Sequence, residues 1–337
     1  MARIVFYCHA KRALLDSVEF YRQDIAALRE LGHDVVVCTR WREIPWRFDA
    51  LYVWWWTHAL PPVLLARLLG RPAIVTGVMN FRFPETFAAR DYLHRPWYHK
   101  VPIFLAARAA TVNLFISRFE RDPCAKHFGL RDARYCHLTL EDDYLQGPSA
   151  ERETAILNIA WSGRQNLVRK GVPELLEAVR ILRDEGRRDV RLYLAGHRGD
   201  GFEGLEARIA ELGLGEQVRL LGELSREQKL AYQRRCEIYA QPSHFEGFGL
   251  AMAEAMGSGA CVVTCDVGAV REVVGDAGLY VAPGSPQDLA AGLRRALDDR
   301  EGRLRLQHEA VARVRRMFGR GKKLEFLRDL LASLGVS

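Results

Sequence analysis

Short apolar runs of strand character alternate with amphipathic helical stretches almost from one end of this chain to the other. No other property of the sequence restricts its fold as much. Strands are expected at Arg3 to Phe6, Asp34 to Cys38, Ala50 to Trp54, Ala73 to Thr76, Asn113 to Ile116, Ile156 to Trp161, Arg191 to Ala195, Val218 to Leu221, Ile238 to Ala240 and Cys261 to Thr264. Between several of them lie helical patterns such as Ser17 to Leu31, Pro173 to Glu185, Leu205 to Leu212 and Arg226 to Arg235, with Gly32, Gly186 and Gly213 as carboxyl-terminal stops. Such alternation argues for parallel sheets covered on both faces, because a parallel connection needs a crossover and the crossover helix lies on the sheet. Ten strands are many for one sheet, so the expected class is α/β with two doubly wound units.

The best boundary is the polar stretch Glu141 to Glu153, EDDYLQGPSAERE, whose Gly147, Pro148 and Ser149 separate one apolar strand from the next. It divides the chain into residues 1–150 and 151–317, with 318–337 left as a terminal helix. A length of 337 residues is enough for two domains, and 49% hydrophobic with 27% charged residues excludes a disordered chain. The seven cysteines are scattered, odd in number and without a CxxC pair, which fits a reduced cytosolic setting. Cys261 and Cys265 read as small buried hydrophobes. The start, MARIVFYCHA, enters a strand directly, with no signal-peptide pattern. No apolar run reaches the roughly 18 residues of a spanning helix. A cytoplasmic protein is expected.

Of the net charge of +7, residues 1–150 hold +5, from 20 basic and 15 acidic side chains, and the rest holds +2, from 29 and 27. An anionic membrane surface, an anionic acceptor, nucleic acid or an arginine-rich composition alone would account for this bias. No helix-turn-helix, zinc or RNA-binding signature supports nucleic acid.

The most informative local pattern is His244 to Val263, HFEGFGLAMAEAMGSGACVV, in which Glu246 and Glu254 stand eight residues apart around a turn of Gly247, Phe248 and Gly249. The turn runs into a helix that Gly257 and Gly259 end before the next strand. Unpaired N–H groups and the positive end of a helix dipole attract an anion, and a carboxylate on either side can grip hydroxyls. A phosphate joined to a sugar fits. An ordinary strand, turn and helix also contains glycines and surface glutamates, and the spacing alone does not separate the two readings.

This segment resembles the E-x7-E signature of family 4 retaining glycosyltransferases, EGFGLPxLEAMAxGxPVV, with Ala251 and Cys261 where the family usually has proline. The likeness continues through residues 268–290, GAVREVVGDAGLYVAPGSPQDLA. It implies the GT-B architecture: two Rossmann-like domains facing across a cleft, the acceptor held by 1–150, the donor by 151–317, and the helix in 318–337 crossing back to the first. A second segment, Trp161 to Gly171 (WSGRQNLVRKG), resembles the family's GRLxxxKG, in which an arginine and a lysine hold the donor diphosphate. Arg164 and Lys170 match them, while Arg169 reads as a solvated charge. Cations belong there because a departing nucleoside diphosphate gathers negative charge in a site without water. Less specifically, Leu220 to Leu224 (LLGEL) resembles the loop lying against the base, and Gly196 resembles a glycine near the nucleotide. His197 reads as a surface histidine.

The amino-terminal half departs more from the family. Its first loop, Cys8 to Asp16, lacks the usual glycine pair, and the regions where the family has histidines read LYVWWWTHAL and AIVTGVMNF. These put Trp56, His58 and Asn80 on the acceptor side. The run Trp54, Trp55, Trp56 reads either as a surface for stacking sugar rings or as a buried strand end. Tyr92 to Leu114 mixes aromatic, basic and apolar residues as an interfacial helix does, is interrupted by Pro96 and Pro102, and fits an ordinary core helix better.

The resemblance as a whole implies a retaining, metal-independent transferase that moves a sugar from a nucleoside-diphosphate sugar to a hydroxyl of a glycan, glycolipid or small molecule. It needs no cofactor and no general base, since attack from the front lets the leaving phosphate take the proton. Arg164, Lys170 and Glu246 carry the chemistry and Glu254 holds the ribose. Gly163, Gly196, Leu221, Gly222, Leu224, Gly247, Phe248, Gly249 and Leu250 line the donor, and no residue ligates a metal. A non-catalytic sugar-nucleotide-binding subunit and another GT-B enzyme, such as an epimerase or a phosphorylase, remain open, although no acid–base pair or cofactor lysine signals either enzyme. Peripheral contact with the inner face of a membrane and the oligomeric state are left open as well.

Overall fold

The structure, a computed structural model, describes residues 1–84, 91–149 and 151–336. Among these residues the chain forms twelve strands: β1 (Arg3–Cys8), β2 (Asp34–Cys38), β3 (Ala50–Trp54), β4 (Ala73–Gly77), β5 (Val112–Phe115), β6 (Ala133–Tyr135), β7 (Glu153–Ile159), β8 (Arg191–Ala195), β9 (Val218–Gly222), β10 (Cys236–Gln241), β11 (Cys261–Cys265) and β12 (Gly278–Val281). All ten expected strands are present with slightly moved ends. The pattern misses β6 and β12, which are three and four residues long, half-buried and at sheet edges. Such strands carry neither an apolar run nor an alternation to read.

Two six-stranded sheets result, in the orders β2-β1-β3-β4-β5-β6 and β12-β11-β10-β7-β8-β9, and every strand pairing in them is parallel. Parallel sheets need both faces covered, which is why β3 (ALYVW) and β11 (CVVTC) are largely apolar and fully buried, with the one hydroxyl of β11, on Thr264, donating to the Gln241 carbonyl at 2.8 Å. In each sheet the strand order reverses once, between β1 and β3 in the first and between β7 and β10 in the second. The connections leave opposite faces there, so a crevice opens beyond the carboxyl ends of the two strands.

The chain divides into one unit of Met1–Thr139 with Arg320–Ser337 and another of Leu140–Gly319. The change falls at 139/140 rather than at the expected 150. Leu140 donates its N–H to the Phe318 carbonyl at 2.8 Å, Tyr144 is fully buried, and the Gly147 N–H reaches the Gly257 carbonyl at 3.1 Å. Residues before the Gly-Pro-Ser turn are therefore packed in the second unit, and Ala150 lies outside the described residues. The terminal helix Arg320–Ser333 joins the first unit through an ion pair of Arg320 with Glu30 and another of Lys323 with Asp24. The segment after Tyr92 forms one helix, Trp97–Ala109, with Pro96 as its N-cap and Pro102 inside it, so only the first proline interrupts. The missing bond at Pro102 falls on the carbonyl of Tyr98, an exposed residue.

Candidate functional site

Both sequence constellations meet at the β7/β10 reversal. Beyond β7 come Trp161 to Gly163 and the short helix Arg164–Arg169; beyond β10 come Pro242 to Gly249 and the helix Leu250–Gly257. Two glycines let the loops approach. At Gly171, φ is +69° and a Cβ would stand 2.1 Å from the Pro242 carbonyl oxygen. At Gly268, φ is +57° and a Cβ would stand 2.1 Å from the carbonyl oxygen of Glu246. That same carbonyl accepts the Ala269 N–H at 2.9 Å.

The Glu246 side chain is buried, with one carboxylate oxygen taking hydrogen bonds from Gln241 Nε2 (2.8 Å), Ser243 Oγ (3.0 Å) and Lys170 Nζ. Tyr239 donates its hydroxyl to Gln241 Oε1 at 2.8 Å and so fixes which way that amide turns. Arg169 is not a solvated charge. Its guanidinium lies 3.6 Å from Glu246, donates to the Phe245 carbonyl at 2.9 Å and to Asn166 Oδ1 at 2.7 Å, and its own carbonyl accepts the His244 N–H at 2.8 Å. The sequence placed two adjacent cations; whether one or both turned inward depended on the six-residue Arg164–Arg169 helix, too short to show a periodicity.

Burial alone would raise the Glu246 carboxyl, but Lys170 and Arg169 outweigh it and hold the group below its ordinary value. Burial pushes the Lys170 ammonium down, and the Arg169 guanidinium adds to that beyond what Glu246 returns. Two cations share one carboxylate, which leaves the cluster with a surplus positive charge. It stands beside the start of the Leu250–Gly257 helix, which has no side-chain cap. There the N–H groups of Gly247, Gly249 and Leu250 meet no acceptor among the described residues. Cations and free N–H groups at a helix start suit an anion. The Phe248 ring is buried against Phe318, 5.5 Å away.

Arg164 stands apart. Gly163 is the N-cap of its helix, its N–H is taken by Asp200 Oδ1 at 2.9 Å, and its side chain is exposed and unpaired among the described residues. A six-residue helix puts it roughly 9 Å from Lys170 along the axis. Glu254 is buried in the second turn of its own helix, bonded by Lys229 Nζ at 2.8 Å and by Gln233 Nε2 at 3.3 Å, with Lys229 over the Tyr144 ring at 5.0 Å. Burial would depress the Lys229 ammonium, and Glu254 more than reverses this. Lys229 and Gln233 went unread in the sequence, though their i,i+4 spacing puts both on one helix face. Gly196 and Gly222 lie at the ends of β8 and β9, joined by the Gly196 N–H to the Gly222 carbonyl at 2.8 Å. Leu221 and Leu224 flank them half-buried, and His197 is exposed beside Glu223 at 2.9 Å.

In the first unit, Trp56 does not reach an acceptor crevice: it is buried, donates Nε1 to Asn113 Oδ1 at 2.8 Å and stacks on Phe115 at 5.0 Å. Trp54 is buried too, with its Nε1 3.0 Å from Asp24. What lies beyond the β1/β3 reversal is His58, exposed and 4.2 Å from the His9 ring, with the half-buried Trp55, whose φ of +77° is a strained value for a bulky side chain. Burial, then the neighbouring His9, lowers the His58 pKa. Asn80 also has a positive φ, +52°, and its carbonyl takes the Tyr92 N–H at 2.7 Å. Beneath it the buried Glu120 accepts the N–H groups of Met79 (2.9 Å) and Phe81 (3.4 Å). Among the described residues, no group of three or more His, Cys, Asp or Glu side chains could hold a metal ion, and no helix is long and apolar enough to cross a membrane.

Residues 158–313, which contain this cluster, match the family described as Glycosyl transferases group 1. The O-antigen chain mannosyltransferase B of Escherichia coli is 31% identical over 234 residues, covering 66% of this chain and 61% of that protein. The MMP alpha-(1->4)-mannosyltransferase of Mycolicibacterium hassiacum is 38% identical over 249 residues, covering 68% of this chain and 57% of that one. The chain thus spans about three-fifths of these curated relatives. Among solved structures, Anabaena Alr3699/HepE in complex with UDP and glucose superposes with a TM-score of 0.78 at 18% identity, over 99% of this chain and 100% of that one. Sucrose-phosphate synthase (tll1590) from Thermosynechococcus elongatus does so with 0.76 at 18%, over 99% and 100%. The two Rossmann-like units make a GT-B fold.

Proposed function

From a second unit that matches the group 1 glycosyl transferases, we propose that this chain transfers a hexosyl group from a nucleoside-diphosphate sugar to an acceptor hydroxyl, with retention and without a metal ion. The observation that carries the reading is the Glu246, Lys170 and Arg169 cluster at an uncapped helix start beside the β7/β10 crevice. Names of relatives that transfer mannose, and a neighbouring structure holding UDP and glucose, favour a hexose on a nucleoside diphosphate.

In this reading the diphosphate lies against the N–H groups of Gly247, Gly249 and Leu250, with Lys170 and Arg169 on its departing end. As the bond from the anomeric carbon to the phosphate oxygen breaks, both bonding electrons go to the phosphate, and the cations meet that growing charge. The acceptor oxygen attacks the same face of the sugar and gives its proton to the leaving phosphate oxygen, so no general base is assigned. Glu246 orients the sugar hydroxyls and Glu254 the ribose, as in the family 4 pattern the sequence resembles. Residues 1–139 supply the acceptor side through His58 and the Asn80 loop.

The test is an NMR assay of the chain with UDP-, GDP- and ADP-linked hexoses and a panel of acceptor alcohols. The expected product keeps the donor's anomeric configuration and forms equally fast in excess chelator. An inverted product, or turnover that chelator stops and magnesium or manganese restores, overturns the mechanism.

A further inference from the structure

The first unit presents an apolar face to solvent on two of its helices. On the Trp97–Ala109 helix, Ile103, Ala106 and Ala107 are buried, yet the opposite face is apolar too: Trp97 is 73% exposed, Tyr98 56%, and Val101, Phe104 and Leu105 are also exposed. Residues at i, i+4, i+7 and i+8 form one stripe. The neighbouring Leu60–Leu68 helix adds Leu64 and Leu68, the latter 80% exposed. Between the two helices lies a groove of about 890 Å³ with Leu64 and Leu105 on its wall and Arg67, Arg71, Arg108 and Arg131 around it; Arg71 also lies 3.8 Å from Asp49, and no carboxylate is among the described residues that line it.

Exposed apolar patches of this extent mark a surface that something else covers. The charge pattern says what. Neither helix contains an acidic residue. Residues 59–109 hold seven arginines and lysines against two acidic residues, Glu85 and Asp91, so the amino-terminal half owes its whole positive excess to this stretch. Asp91 is buried and turned to His94 at 2.8 Å, away from offering a countercharge to the surface. Tryptophan, tyrosine and phenylalanine along one helix, with leucines and arginines at the groove beside its later turns, is the composition of a membrane-interface anchor: the rings sit at headgroup depth and the cations meet lipid phosphate.

We propose that the Leu60–Leu68 and Trp97–Ala109 helices dock the first unit on a membrane rich in anionic phospholipid, with headgroup phosphates entering the arginine-lined groove. This goes beyond the transferase reading and does not depend on it.

The experiment is co-sedimentation of the full chain with vesicles of phosphatidylcholine alone and of phosphatidylcholine with phosphatidylglycerol. Binding is expected on the anionic vesicles and is expected to weaken as salt rises. Arg67→Gln and Arg131→Gln remove side chains that are exposed and bond to nothing among the described residues, and each is expected to weaken binding about fivefold. Leu68→Ser and Trp97→Ser are expected to weaken it on the anionic vesicles while leaving the thermal melting curve unchanged. Equal binding to neutral vesicles overturns the role of the groove. Absence of vesicle binding, or a dimer in sedimentation equilibrium that Trp97→Ser converts to monomer, overturns the membrane as the occupant of this face.

Discussion

Lys323 places its ammonium 2.8 Å from a carboxylate oxygen of Asp24, and both side chains are almost wholly buried. The other Asp24 oxygen takes the Tyr52 hydroxyl at 2.7 Å and the Trp54 indole N–H at 3.0 Å. One carboxylate thereby ties the terminal helix to the strand β3 and to the helix Glu19–Glu30. Burial would depress the lysine, and Asp24 outweighs it, leaving its pKa raised.

Removing one partner leaves the other charge buried alone, a loss of about 3–5 kcal/mol in comparable pairs. Lys323→Met is expected to cost that much in urea unfolding followed by tryptophan fluorescence. Asp24→Asn combined with Lys323→Met is expected to recover part of it, because neither charge remains. Additive losses in the double variant would show that the two residues act independently.

At the crevice, Lys170→Ala is expected to lower kcat by about 10² to 10³, the usual effect of losing one donor to a developing oxyanion. Arg169→Ala is expected to follow it, and the double variant to lose less than the product of the two because both act on one group. Arg164→Ala, exposed at the other end of the short helix, is expected to raise KM with a smaller change in kcat. Steady-state kinetics on the four proteins decide this. A Lys170→Ala enzyme with intact kcat and raised KM would move that lysine from the departing phosphate to donor recruitment.

These roles mark what the sequence could carry. Glu246 and Glu254 were legible because their spacing around a glycine turn is local and resembles a family pattern, and Lys170 because it precedes a glycine in a second such pattern; the structure gives that glycine its reason, since a Cβ at Gly171 would meet the Pro242 carbonyl. Gln241, Ser243 and Tyr239 were not: their bonds run only two to five positions along the chain, but which side chains turn toward Glu246 depends on where β10 ends and its loop begins, which no periodicity of the sequence marks. The tryptophans make the same point. The alternating faces of β3 and the turn after it send Trp54 and Trp56 into the core and leave Trp55 at the crevice, and the residues that receive them, Asp24 and Asn113, are distant in the chain.

Glu254 is already engaged by Lys229 and Gln233, so a ribose would add to an existing network and not enter an empty one. Glu254→Ala is expected to weaken nucleotide binding in calorimetry and to destabilise the fold by leaving the half-buried Lys229 without its partner. Lys229→Met is expected to destabilise as well, with the carboxylate kept. If the two variants have the same nucleotide affinity as the parent protein once both are folded, Glu254 is structural only.

Glu120 sets a pH dependence of stability. Burial raises its carboxyl from an ordinary 4.5 to about 7, against the opposing N–H groups of Met79, Phe81 and Asn80. Between those values the folded chain keeps a proton that the unfolded chain has released, so rising pH favours unfolding. The contribution is complete below about pH 4.5 and lost as pH climbs through about 7, a change of about 3 kcal/mol at 1.36 kcal/mol per unit. Unfolding free energy measured by urea at a series of pH values is expected to decline across this window in the parent protein. Glu120→Gln cannot titrate, so its curve is expected to run flatter by that amount, at some uniform cost from the N–H group its amide nitrogen cannot accept. Identical slopes in the two proteins would mean that Glu120 is ionised in the fold throughout, with the loop N–H groups outweighing burial.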